Sequence, residues 1–223
     1  MRIRWYGQSA YTLTGGGLTV TIDPFADMSA LLGGRRRFDY PPVPEHSADL
    51  LLVTHEHADH NGVETVGGEP VVLRSTAGTF DSPAGTVKGI ASEHDPVAGT
   101  ERGPNTIYVL ELDGVRVAHL GDLGQASLRD EQVAAIGAID GLFVPVGGGF
   151  TIGAEQAAEV VARLSPRWVV PMHYRTPRLN FLEDAEAFLK SMADVRRLDA
   201  TSFDASGLDR GGNGPVVIVP AVP

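Results

Sequence analysis

The sequence contains no cysteine. Disulfides, thiolate nucleophiles and thiolate zinc sites are therefore excluded, and any metal has to be held by histidine and carboxylate. Lysine is nearly absent as well: of the 18 basic residues only Lys88 and Lys190 are lysines, and the rest are arginines. Positive charge is scarce overall, with a formal net charge of −10. A surface of that sign repels phosphate backbones, so no nucleic-acid partner is expected. No apolar run is long enough to span a bilayer, so no membrane partner is expected either. The N-terminal MRIRWYGQSAYTLT alternates like a strand and lacks the apolar core of a signal peptide, which points to the cytoplasm. What the chain has in ordinary measure is apolar material. With 43% hydrophobic residues in 223, it can bury one large core. No linker divides it, so a single domain over residues 1–223 is expected.

Short β-type runs recur near residues 2–6, 9–14, 18–23, 50–54, 70–74, 86–91, 106–112, 115–120, 141–146, 167–172 and 215–219. Helical patterns are fewer. Ser127-Leu128-Arg129-Asp130 reads as a capping box opening a helix to Ile136. Residues 153–164 put Ala157, Val161 and Leu164 on one stripe, stopped by Ser165-Pro166. Residues 183–192 form a third amphipathic pattern, and a short helix is expected after Asn61. The stretches 28–47 and 201–214 read as long loops. Strands dominate early and helices are interspersed after residue 120, which predicts layered α/β architecture with mixed sheets.

The chain has only seven histidines, and three of them lie between His55 and His60, in THEHADH. LLLVT before them is a continuous apolar strand of the kind buried on both faces. His55 begins where that strand ends. His94, Asp122, His173 and Asp23 likewise follow predicted strands. Ligands in layered α/β folds bind at the carboxyl ends of strands, so these side chains are expected to converge on one pocket. In an extended segment His55 and His57 share a side and can chelate one ion. If the chain then turns into a helix, Asp59 and His60 project elsewhere and suit a second ion. The bland alternative is a cluster of solvated surface histidines. Crowded imidazoles directly after a buried strand argue against it, because they gain little from one another without a cation.

At this point the sequence resembles the metallo-β-lactamase superfamily, whose signature is H-x-H-x-D-H after a buried strand. The match covers nearly the whole chain: TIDP at 21–24, THEHADH at 54–60, EHD at 93–95, HLGD at 119–122, PVGG at 145–148 and PMHY at 171–174. It looks most like the compact branch of metal-dependent hydrolases that contains ascorbate-phosphate lactonases. The resemblance implies an αββα four-layer sandwich of two mixed β-sheets flanked by helices. It also implies two divalent metal ions, zinc first, with manganese or iron as alternatives. His55, His57 and His94 would hold one ion, Asp59, His60 and His173 the other, and Asp122 would bridge them. Asp23 would support the histidine loop. One departure stands out: Gly7-Gln8-Ser9 occupies a place where this branch commonly has Gly-His-Ser or Gly-His-Ala. Gln8 can hydrogen-bond but cannot titrate.

The implied activity is hydrolysis, with water activated for attack on a small ester, lactone or phosphoester and Asp59 as the catalytic carboxylate. Nuclease or phosphodiesterase activity, and non-hydrolytic metal binding or oxygen chemistry, are the alternatives. The substrate is expected to be a small molecule, in one reading anionic. Arg102 and Arg175, close in sequence to His94 and His173, are candidate pocket cations. Thr151, near a helix start after Gly147-Gly148-Gly149, is a candidate anion contact, although those glycines equally suit a tight turn. His119 is expected to be a buried, hydrogen-bonded support, His46 to be solvated, and Arg35-Arg36-Arg37 to form a solvated loop.

Overall fold

Alternation at the N-terminus places Ile3 and Trp5 inward, at most 1% exposed, while Arg2 and Arg4 face outward. That strand is β1 (Arg2–Gly7) of a computed structural model that describes residues 1–28, 35–209, 212 and 214–223. Following it are β2 (Ala10–Gly15), β3 (Leu18–Ile22), β4 (His46–Ser47), β5 (Leu50–Val53), β6 (Val66–Gly67), β7 (Val71–Arg74) and β8 (Gly78–Ser82). Next come β9 (Gly85–Glu93), β10 (Pro104–Leu112), β11 (Val115–His119), helix α1 (Asp130–Ile136), β12 (Gly141–Pro145), α2 (Ala154–Leu164) and β13 (Trp168–Met172). The chain closes with α3 (Glu186–Lys190), β14 (Asp194–Arg197), β15 (Ser202–Asp204) and β16 (Val216–Val219).

Six strands form one mixed sheet in the order β15-β1-β2-β3-β5-β7, and eight form another in the order β14-β16-β13-β12-β11-β10-β9-β8. The sheets share a large apolar cluster that includes Ile3, Leu13 and Leu52 from the first and Val87, Ile107 and Phe143 from the second. Helix α1 packs on β9 and α2 on β12, while α3 packs on α2. This is the α/β sandwich that the sequence predicts, with an asymmetry. Among the described residues no α-helix covers the outer face of the six-stranded sheet, which presents Arg2, Arg4, Tyr6, Thr12 and Thr14. No described helix is long and apolar enough to cross a membrane.

Several local expectations shift. Helix α1 begins at Asp130 with Arg129 as its cap residue, and Gln132 Oε1 accepts the Arg129 N–H at 2.8 Å. Ser127 therefore does not cap it. Only 186–190 of the third helical pattern is helical, and the turn after Asn61 is a 3₁₀ turn, Val63–Thr65. The predicted loop at 28–47 ends in β4, paired with β6, and the predicted loop at 201–214 contains β15. Residues 29–34, 210, 211 and 213 of those two loops lie outside the described residues.

Candidate metal centre

Strands β3, β5, β9, β11 and β13 end on the same side of the sandwich, and each is followed by a polar residue aimed at a common point. The turns that achieve this are unusual. Asp23, His173 and Gln8 have φ of 47°, 51° and 50°, in the left-handed region that non-glycine residues seldom enter. Gly121, with φ of 56°, lies between β11 and Asp122. A Cβ there would sit 2.3 Å from Asn105 Oδ1 and 2.7 Å from the Thr54 Cβ, so only glycine fits. Asn105 Oδ1 accepts the Asp122 N–H at 3.0 Å and thereby fixes the carboxylate.

Asp122 is the centre of the cluster. Its Oδ2 lies 3.0 Å from His173 Nε2, 3.3 Å from His94 Nε2 and 3.8 Å from His55 Nε2, and its Oδ1 lies 3.3 Å from His60 Nε2. Two side-chain triads flank it, His55-His57-His94 and Asp59-His60-His173, each with ligand atoms within 4.8 Å of one another. His55, His60, His94, Asp122 and His173 are at most 3% exposed. His57 and Asp59 are half-buried and line the way in.

The supporting hydrogen bonds decide which ring atoms face inward. Asp23, fully buried, accepts from His60 Nδ1 at 2.9 Å, from the Thr54 hydroxyl at 2.7 Å and from the Thr54 N–H at 2.8 Å. The Thr54 oxygen in turn accepts from His55 Nδ1 at 3.0 Å. With Nδ1 protonated on both rings, the Nε2 lone pairs of His55 and His60 turn toward Asp122. Both atoms are buried without a hydrogen-bond partner, as is Asp122 Oδ1. Lone pairs facing a carboxylate repel unless a positive charge sits between them. Burial, reinforced by His60, drives His55 well below the ordinary imidazole range, and burial followed by the neighbouring His94 lowers His57. Burial opposes the charge of Asp122, yet the facing His173 and His60 outweigh it, and its carboxyl stays well below the usual range. Burial opposes a proton on His60 too, but Asp122, Asp59 and Asp23 together raise it strongly. Without a cation, a proton on His60 supplies the positive charge that the facing groups require. With that proton displaced, imidazole nitrogens around an ionised carboxylate are the donor set that a divalent cation takes. The residues fit the metal.

The remaining candidates divide. A cavity of about 300 Å³ opens over the cluster, and Arg102 lines it with His57, Asp59, His94, Asp122 and His173. Arg175 does not line it: its guanidinium pairs with Asp184 at 2.6 Å on an exposed surface. Thr151 does not line it either, because its hydroxyl donates to the Ile152 carbonyl and its N–H to the Gly148 carbonyl. The glycines before it serve a tight turn. A Cβ at Gly147 would meet the His173 carbonyl oxygen at 2.1 Å, so the glycine lets the turn pack against the end of β13. His119 is the buried support expected, donating Nε2–H to the Ser9 carbonyl and accepting the Gly121 N–H on Nδ1. His46 lies outside the cavity as predicted but is not merely solvated. It bonds Thr21 Oγ1 at 2.7 Å and stacks on Tyr6, which ties β4 to the six-stranded sheet.

A family model described as the beta-lactamase superfamily domain matches residues 2–173. The chain belongs to this superfamily. A UPF0173 metal-dependent hydrolase of Thermococcus kodakarensis is 32% identical over 221 residues, covering 87% of this chain and 93% of the relative. Another from Thermus thermophilus is 33% identical over 213 residues, covering 84% and 89%. A solved structure from Thermotoga maritima, named as a candidate Zn-dependent hydrolase of the metallo-beta-lactamase superfamily, is similar at a TM-score of 0.80 and 31% identity, covering 100% of this chain and 99% of that one. The chain thus falls in the compact metal-dependent hydrolase branch.

Four residues around this metallo-β-lactamase centre show their contacts only in the fold. Gln8, only 1% exposed, donates Nε2–H to Asp59 Oδ2 at 3.0 Å, so the residue that departs from the branch's common histidine holds this carboxylate. Asn105 lies inside a strand pattern with no local sign of its role. Asp95 accepts four backbone N–H groups, from Val97, Gly99, Glu101 and Arg102, and organises the loop after His94. EHDPVAG carries a hint of this, because Asp before Pro commonly opens a turn. Arg36 lines the cavity from a segment that reads as a solvated loop.

Proposed function

We propose that this chain holds two divalent cations, zinc with manganese or iron as alternatives, and hydrolyses a small ester, lactone or phosphoester. The observation that carries the reading is the pair of ligand triads on either side of Asp122, with inward-facing nitrogens that no protein donor satisfies. When bound, the cations lower the pKa of water and polarise the electrophilic centre. The chain's own residues supply the rest. Asp59 is the half-buried carboxylate that lines the cavity beside the histidines, and Gln8 fixes one of its oxygens, which leaves the other to accept a proton from the attacking water. The water oxygen bonds to the carbonyl or phosphoryl centre, the bond to the leaving oxygen breaks, and Asp59 returns the proton to that oxygen. Asp23 and Thr54 hold His60 and His55 in one tautomer throughout. A cavity of about 300 Å³ suits a small substrate. Single-stranded RNA is expected to bind weakly, given the net charge of −10.

The test is elemental analysis of the purified protein, followed by a screen of lactones, phosphodiesters and phosphomonoesters before and after exhaustive chelation. Close to two metal equivalents per chain, and turnover that disappears with the metal and returns on its readdition, support the reading. Turnover that survives with metal shown absent overturns it.

A further inference from the structure

The cavity has a second chemical character above its floor. Its walls are Met28, Phe38, Phe150 and Phe181, with the side chains of Arg36 and Arg102. The Arg102 guanidinium stacks on Phe150, 4.1 Å from the ring centroid, and the Arg36 guanidinium lies 5.6 Å from both Phe150 and Phe181. The chain is rich in carboxylates, and arginines elsewhere take them: Arg37 pairs with Asp39, Arg74 with Glu56 and Arg175 with Asp184. Neither Arg36 nor Arg102 has an ion-pair partner or a side-chain hydrogen bond among the described residues.

Both arginines spring from pinned backbone. On either side of Arg36, the Arg37 N–H donates to Asn180 Oδ1 at 2.8 Å and the Arg35 carbonyl accepts from Asn180 Nδ2 at 2.9 Å. The Arg102 N–H is held by Asp95 at 2.8 Å. Beneath them, Met28 and Phe38 belong to a small apolar cluster of their own with Phe25 and Leu179, against which Phe150 and Phe181 pack. Two cations held on aromatic faces and left without a counter-ion are arranged for a ligand anion, which a guanidinium grips through paired N–H donors.

We propose that Arg36 and Arg102 form an anion clamp, and that the substrate is an organic ester with an apolar body and a carboxylate or phosphate group distinct from the bond that is cleaved. The apolar body lies on Phe38, Phe150 and Phe181, the anion between the guanidiniums, and the scissile group on the histidine floor. Calling the ligand a substrate rests on the hydrolytic reading; the clamp itself does not.

Calorimetric titration of the metal-loaded full chain with benzoate, phenylphosphonate and the neutral isostere benzamide tests the clamp. The wild type is compared with the double variant Arg36→Gln/Arg102→Gln and with Arg37→Gln, whose arginine lies outside the cavity. At least one anion should bind the wild type better than benzamide does. It should lose about tenfold or more in affinity in the double variant and keep its affinity in Arg37→Gln. Whether benzoate or phenylphosphonate is favoured identifies the anionic group. Equal binding of the anions to wild type and double variant would mean that the metals alone hold them, and the clamp would be overturned. Failure of both anions to bind the wild type, or benzamide binding as tightly as they do, overturns it as well. A clamp that passes in a protein that turns over no ester leaves the anion site standing and removes the hydrolytic reading instead.

Discussion

The floor and the mouth of the cavity are built on opposite plans. At the floor, His55, His94, Asp122 and His173 follow the ends of interior strands and His60 closes the turn after His55; all are nearly inaccessible and locked by packing or by a buried partner such as Asp23 or Asn105. At the mouth, Arg36, Arg102, Phe150 and Phe181 stand on loops, partly or wholly in reach of solvent, and the two arginines sit on backbone held by the side chains of Asn180 and Asp95. Groups that hold the chemistry need fixed geometry, which strand ends give. Groups that select a substrate can vary on loops without disturbing the floor. Substitutions at the floor should therefore cost metal and turnover, and those near the mouth should change substrate affinity.

The largest effect is expected at Asp122. Asn keeps its shape but not its charge, and its amide nitrogen cannot ligate. Asp122→Asn should lose at least one metal equivalent and more turnover than the roughly 10–100-fold typical of residues that merely support ligands. His46→Ala, outside the cavity, should keep its metal and near-normal turnover. Metal stoichiometry and kcat on both variants check this. A fully metallated, fully active Asp122→Asn protein would falsify the bridging role and erase the distinction between floor and mouth.

Asp23→Asn comes next. Both carboxylate oxygens accept hydrogen bonds, one from the Thr54 N–H, the other from the Thr54 hydroxyl and His60 Nδ1. Whichever way an amide is turned, its NH₂ meets a donor. The ring of His60 loses its orientation, so affinity for the ion on the His60 side should fall about 10–100-fold while the His55-His57-His94 side is less affected. Competition with a chromogenic chelator resolves the two sites. Equal weakening of both would show that Asp23 steadies the whole loop and not one ring.

The contrast between floor and mouth also explains what the sequence made legible. Strand ends carrying His or Asp are visible in one dimension, because apolar periodicity marks where a buried strand stops. The residues that converge in the fold are thus visible at strand ends, while the ligand roles proposed for them come from the family resemblance. The unpredicted strands β4, β6, β8, β14 and β15 are all sheet edges. Edge strands bury little and carry charge, as DVRR in β14 does, so the hydrophobic signal is missing. The contacts of Asn105 and Gln8 were illegible for another reason: their partners, Asp122 and Asp59, are distant in sequence, and only the folded sheet brings them together. Arg175 and Thr151 are near a candidate ligand or a helix start in sequence only. In the fold, Asp184 holds the first and the turn's own backbone the second.

A packing substitution sharpens the comparison at lower cost. Gly121→Ala puts a methyl group against Asn105 Oδ1 and the Thr54 Cβ, at a φ of 56° that alanine rarely adopts. Displacement of Asn105 or of the turn should destabilise the fold by about 1–3 kcal/mol. It should also weaken metal retention, since Asn105 holds the Asp122 N–H. Urea unfolding with metal present and with metal chelated separates the two effects. Gly149→Ala is the matched control: a Cβ there meets nothing within 4 Å, so its cost is confined to backbone strain at a φ of 64°. If both variants lose the same stability, crowding at the floor is not what makes Gly121 necessary.

The smallest effect is expected at Asp95, where floor and mouth meet. The residue follows His94, yet its side chain points into its own loop and accepts the N–H groups of Val97 and Gly99 on one oxygen and of Glu101 and Arg102 on the other. Burial works against its charge, but the four donors outweigh it and keep the carboxyl below the ordinary range. In Asp95→Asn one oxygen becomes an NH₂ facing two N–H donors, so half of the network is lost and the backbone under Arg102 loosens. His94 keeps its place through its own N–H bond to the Gly103 carbonyl. Metal content should stay at the wild-type value. On an anionic ester, KM should rise by about 3–10-fold with kcat little changed, because a positioning contact is lost and no reacting group is touched. The pH dependence gives an independent check. A carboxyl depressed in the folded state stabilises above its unfolded pKa of 3.8 and loses that contribution as pH falls through the lower folded value. The gap in thermal midpoint between wild type and Asp95→Asn should therefore be steady near neutrality and narrow in acid. Loss of metal, or a fall in kcat with KM unchanged, would assign Asp95 to the floor and erase the boundary at this residue.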